Sequence, residues 1–306
     1  MADDPSDGDD QFGDDERFDR DDRFDDDDET PIVRDPGRPP DNGGPSASGG
    51  TAPERSRSPD TFSRGLEMLR DDPWLFVPFL VAGLVLSAVD ALRLMDPIPV
   101  LERGAPGTGN LDIQIEFVGY PAGVPQTMVR FESLVGLEIP YLVWGAGLYA
   151  VALLVVVAAG VLTINRAMDG EAGLAGFVSL LGFALGVDLV NRGLGSIDLL
   201  QGMGLFGLVW LAIYLYLFVR LFAVPGLVVE GRSLPAALEE SFELTAGRGW
   251  SIFGLILLFG LGAWLIASVP HVGTVASTVA VAPVHAAIVV AFIEVARSEA
   301  NRRTTI

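Results

Sequence analysis

GTVASTVAVAPVHAAIVVAFIEVA, residues 273–296, holds two titratable side chains, His285 and Glu294. A helix rises about 1.5 Å per residue, so this stretch reaches across an apolar layer of about 30 Å. Five other stretches meet the same test: 74–94, 140–163, 174–194, 204–229 and 250–269. The stretch at 174–194 is the weakest, because it carries Asp188 and apolar character partly returns at Leu199-Leu200. The fold class predicted is all-α, a six-transmembrane-helix bundle.

The flanks of the spans orient them. With the N-terminus inside, Arg55, Arg57, Arg64, Arg70, Arg166, Arg232, Arg248, Arg297, Arg302 and Arg303 lie on the inner side. Arg93, Arg103, Arg130 and Arg192 lie on the outer side. Positive charge concentrates in the cytoplasm, so a multi-pass protein of the cell membrane with both termini cytoplasmic is expected. The longest connection, 95–139, is then outside. Within it, residues 111–117 (LDIQIEF) alternate apolar and polar side chains, the period of a half-buried strand. Residues 127–132 form a weaker second strand, and Gly119 to Pro125 is turn-rich. An extracellular β-hairpin with its apolar face on the bundle is expected, with an irregular capping loop as the alternative.

Two inner segments precede spans. Residues 58–70 place Phe62, Leu66 and Leu69 on one helical face, with Asp60 or Ser58 as cap. Residues 233–245 do the same with Leu234, Leu238, Phe242 and Thr245, capped by Ser233. A shift of 176 residues aligns Leu66 with Phe242, Glu67 with Glu243 and Trp74 with Trp250. The pattern reads as a repeated unit, a short cytoplasmic amphipathic helix followed by a helical hairpin.

The whole chain carries 40 acids against 20 basic residues, all of them arginine. Residues 1–60 hold 20 of those acids and 7 of the arginines, amid Gly, Pro and Ser. Such a stretch buries too little to offset ordering entropy, so a disordered acidic cytoplasmic tail at 1–60 precedes the membrane domain at 61–306. Phe12, Phe18 and Phe24 recur every six residues in it. They read as a solubilising tail's incidental aromatics or as a docking motif for a partner. Met1-Ala2-Asp3-Asp4 lacks the basic and apolar start of a signal peptide. Acid without lysine also suits a salt-rich cytoplasm, where screening shortens like-charge repulsion to about 3 Å at 1 M salt.

The missing residues narrow the chemistry. There is no cysteine, and His271 and His285 are the two histidines, so neither a thiolate nor a multi-histidine metal site can form. No basic run exists for phosphate backbones, which argues against nucleic acid. No nucleophile–base constellation is evident, no cofactor is implied, and no enzymatic activity is expected.

The patch running from Leu221-Phe222-Ala223-Val224-Pro225, through Glu230-Gly231-Arg232-Ser233 and Ala236 to Leu244, to Gly247 and Trp250 resembles one family. It is the membrane domain joined to some glycerophosphodiester phosphodiesterases, with uncharacterised stand-alone relatives in haloarchaea. The resemblance covers residues 61–306 and implies six membrane helices of unknown activity. Residues outside the membrane are too few for that enzyme's catalytic barrel, so its activity is not carried over.

Ionisable groups inside spans are candidate sites by default. Asp90 and Asp188 lie near the outer ends of their spans, close in depth to Arg93 and Arg192, and the four can form an outer cluster. Arg220 and Glu294 lie toward the inner side and can pair. His285 is near mid-membrane, two residues after Pro283, where its N–H can bond a carbonyl freed by the proline. The structural alternative for all five is snorkelling or pairing. Gly182 and Gly186 offer close helix packing or an oligomer interface. The function expected is a non-enzymatic membrane module for assembly or lipid organisation. Its partners would be membrane lipids and either another protein or a second copy. A transporter or channel is the rival.

Overall fold

The computed structural model describes residues 61–98, 101–102, 119–128, 137–170, 173–194 and 204–304. The tail at 1–60 and the strand expected at 111–117 lie outside them. Helix α1 is Thr61–Asp71, followed by a 3₁₀ turn at Pro73–Phe76 and α2 at Val77–Met95. Helix α3 is Ile139–Ala167 and α4 is Leu174–Leu194. Then come α5 (Leu205–Leu221), α6 (Val224–Val229), α7 (Leu234–Leu244), α8 (Gly249–Ala267) and α9 (Gly273–Thr304).

Six stretches among the described residues are long and apolar enough to cross a membrane, Pro73–Met95, Ile139–Ala167, Leu174–Asn191, Leu205–Val229, Gly249–Ala267 and Gly273–Arg302. They coincide with the six expected from hydropathy. The fourth is broken. Pro225 lies in the first turn of α6 after a turn at Phe222–Ala223, because proline has no N–H to return to the Leu221 carbonyl.

The last span is the centre. In α9, 72% of the most apolar window is buried inside the bundle, against 28–50% for the other five. Helices α1, α2, α3, α6, α7 and α8 all pack on it. Its composition permits this, since Ala282, Ala286, Ala287 and Ala291 are fully buried and let neighbours approach closely. The other spans turn large apolar side chains outward, among them Leu84, Val143, Leu189, Phe206 and Leu261, as lipid-facing helices do.

The two amphipathic helices are present, and their inner faces correct the expected ones. In α1, Gly65 and Leu69 are buried, whereas Phe62 and Leu66 are exposed. In α7, Ala237 and Ser241 are buried along with Thr245 just beyond its end, and Phe242 is exposed. Small residues face inward because both helices lie close against the bundle, and a Cβ at Gly65 would strike Ile288 of α9. The shift of 176 residues nevertheless preserves burial. Gly65 and Leu69 map onto Ser241 and Thr245, all buried, while Leu66 and Trp74 map onto Phe242 and Trp250, all exposed. Ser233 occupies the N-cap of α7 but makes no side-chain capping bond.

The extracellular hairpin is not what the described residues form. Thr127–Met128 pairs antiparallel with Leu101–Glu102, in a ladder of two residues per strand. Residues 119–126 are irregular and sink into the bundle, with Val124 1% exposed. A hairpin would have kept its backbone bonds to itself, whereas this segment spends them on side chains of the spans.

Candidate functional site: a buried carboxylate beneath the loop

Asp90 stands one and a half turns before the end of α2 and is 5% exposed. A carboxyl group at that burial needs hydrogen-bond partners. It receives the hydroxyl of Thr274 at 2.5 Å from α9 and the hydroxyl of Thr127 at 2.5 Å from the loop. The backbone N–H groups of Gln126 (3.1 Å) and Thr127 (3.3 Å) complete the set. Gln126 N–H also approaches Thr274 Oγ1 at 3.0 Å, and Gln126 Nε2 donates to the Val269 carbonyl at 2.7 Å. One helical turn deeper, Ser277 donates to the Val124 carbonyl at 3.1 Å and accepts from its N–H at 3.3 Å. Gly123 lies so close to Thr278 that a Cβ there would overlap its backbone. The loop is thus stitched to α2 and α9 through one carboxylate and two hydroxyls.

The other expected sites fall elsewhere. Asp188 accepts from the Tyr149 hydroxyl at 2.7 Å, and Tyr214 donates to Asn191 a turn away. Asp90 and Asp188 thus each accept from hydroxyls of different elements, and Arg93 is buried as Asp90 is. The side chain of Arg192 lies outside the described residues.

The expected pair of Arg220 and Glu294 does not form. Glu294 accepts from Arg64 Nε of α1 at 2.8 Å. Arg220 donates to the Phe242 carbonyl at 3.0 Å, at the end of α7, and to the Tyr216 hydroxyl at 3.0 Å. The Ser241 hydroxyl in turn bonds the Arg220 carbonyl at 2.6 Å. The break after Leu221 explains the difference. With the turn at Glu230–Gly231, it sets the end of α7 beside the end of α5, where the free carbonyls of α7 attract a cation.

His285 is 1% exposed. Its ring stacks on Phe259 at 4.7 Å and on Phe222 at 5.7 Å between centroids. Nδ1 has no hydrogen-bond partner among the described residues, so ring contacts take the place of the expected bond to a freed carbonyl.

At the end carrying the described helix termini, Arg297 bonds Glu230 through two nitrogens (2.7 and 2.6 Å) and Glu240 at 2.7 Å. Arg232 approaches Glu240, Arg248 bonds Glu299, and Arg166 bonds Asp72. The Arg297 guanidinium holds the Glu230 carboxyl below the usual glutamate range, and Arg166 does the same for Asp72. Among the described residues no three histidine or acidic groups converge as a metal site would require.

Composition alone did not mark Thr127, Gln126, Thr274 and Ser277. The usable signal was the run of hydroxyls at 274, 277 and 278, spaced for one helix face in an otherwise apolar span. No family model, curated protein or solved structure matches the chain.

Proposed function

We propose that this chain is a non-enzymatic polytopic membrane module that organises lipid or assembles with a protein partner or a second copy. The observation that carries it is the tightly packed core. Ala282, Ala286, Ala287, Ile288, Val289 and Val290 of the central helix are each 0% exposed at mid-depth, which leaves a solute no continuous polar route through them. The broad lipid-facing surfaces of the outer spans support the same reading. In this proposal the protein lies in the cell membrane with both termini cytoplasmic, as the arginine bias implies. The acidic tail is a solubilising or docking arm adapted to high salt. The membrane domain is akin to that of the glycerophosphodiester phosphodiesterases.

The test is native mass spectrometry of the full chain, extracted gently from its own membranes at high salt. A stoichiometric protein or a retained lipid is the expected result. A bare monomer, together with solute flux in reconstituted vesicles, would replace the proposal with the transporter reading. That rival draws on one observation, the stripe of Thr274, Thr278 and His285 along one face of α9.

A further inference from the structure

We infer that the groove between the loop-side ends of α2 and α3 binds a membrane lipid through an ammonium-bearing headgroup, an inference that rests on the lipid-organising reading above. The groove is a cavity of about 330 Å³ lined by Leu92, Met95 and Asp96 on one side and Pro140, Tyr141 and Trp144 on the other. Its depth is that of headgroups. Met95 ends α2 and Ile139 begins α3, so both helices leave the apolar layer here, where tryptophan and tyrosine favour the interface.

Asp96 supplies the charge. One carboxylate oxygen accepts from the Ile98 N–H at 2.9 Å and the other from Trp144 Nε1 at 3.2 Å. Those two bonds fix the carboxylate against the indole. A carboxylate has about four acceptor positions, so among the described residues lone pairs stay free on both oxygens. Among the described residues no cation pairs with Asp96.

A carboxylate that no described cation compensates, beside an indole and a phenol, is the combination that attracts an ammonium, by charge and by the ring faces together. The same carboxylate repels a purely anionic headgroup. The wall decides between a lipid and a soluble amine. Met95 is 82% exposed and Leu92 40%, an apolar surface that runs down α2 and that an acyl chain covers.

The experiment places the full-length protein in nanodiscs of equal phosphatidylethanolamine and phosphatidylglycerol and reads the retained lipids by native mass spectrometry. The expected result is phosphatidylethanolamine enriched about 2- to 5-fold over the bilayer ratio, the size of an exposed cation–aromatic contact. Asp96→Asn and Trp144→Ala return the ratio to that of the bilayer with the melting temperature unchanged, and Trp144→Phe keeps part of the enrichment. Enrichment of phosphatidylglycerol, or a preference that survives both Asp96→Asn and Trp144→Ala, overturns this site and leaves the lipid-organising reading standing. A wild-type protein that retains a protein partner but no lipid of either kind overturns that reading's lipid branch as well.

Discussion

The two ends of the bundle handle charge in opposite ways. At the loop-bearing end, Asp90 is almost wholly buried and is satisfied by hydroxyls and backbone N–H groups. At the other end, carboxylates meet arginines whose side chains are 27–55% exposed. The difference is one of solvent. Water already stabilises the exposed pairs, so each adds only about 0–1 kcal/mol. At Asp90 the protein replaces water entirely, and removing the carboxylate leaves several buried donors unpaired at about 1–3 kcal/mol each.

Breaking the buried end should therefore cost most. Asp90→Ala is expected to destabilise the protein by about 3 kcal/mol or more, read as a lower melting temperature in detergent. Because the chain has no cysteine, a single Val124→Cys reports the loop directly. It should react slowly with an aqueous maleimide in the parent and rapidly once Asp90 is alanine. Equal rates would mean the carboxylate does not hold the loop.

Next in size is Gly123→Val. It forces the loop off Thr278 and should cost about 1–3 kcal/mol, the usual range for overpacking, with the same gain in labelling at position 124. A variant that melts like the parent would show that the segment has room to shift.

At the exposed end, Arg297→Ala removes partners from both Glu230 and Glu240 and should cost about 1 kcal/mol. The effect has a pH signature. The Glu230 carboxyl titrates lower folded than unfolded, so its contribution is complete above the ordinary value of 4.5 and is lost as pH falls through the lower folded value. Acid titration of the melting temperature should show a shallower decline in the variant, and identical profiles would remove Glu230 from the account. The smallest effect belongs to Arg166→Gln. Its pair with Asp72 is open to solvent, and raising the salt from low to about 1 M should erase whatever difference low salt reveals.

Much of the frame was legible in the sequence. Hydropathy located all six spans, because crossing an apolar layer is a demand on a run of consecutive residues. The amphipathic helices were legible too, but not their inner faces. Periodicity marked Phe62, Leu66 and Leu69 as one stripe, whereas close approach to α9 selected Gly65 and Leu69. The loop was the largest difference. The alternation at 111–117 suggested a partner strand, yet Thr127–Met128 pairs with Leu101–Glu102 and the residues before it enter the bundle. Five ionisable or polar side chains stood out as candidates. Asp90 became the centre of a network, Asp188 met Tyr149, Arg220 met the end of α7, Glu294 met Arg64, and His285 was enclosed by rings.

What the sequence determined by itself is what depends on neighbours in the chain: the number of spans and their limits. Tertiary structure alone decided what depends on distant residues. Asp90, Thr127 and Thr274 are separated by 37 and 147 positions and meet within hydrogen-bonding distance at Asp90. Likewise, every span was apolar enough to be the buried one. Alanines at 282, 286, 287 and 291 let the others close around α9, and which helices did so was settled by packing, whose partners no single stretch of chain contains.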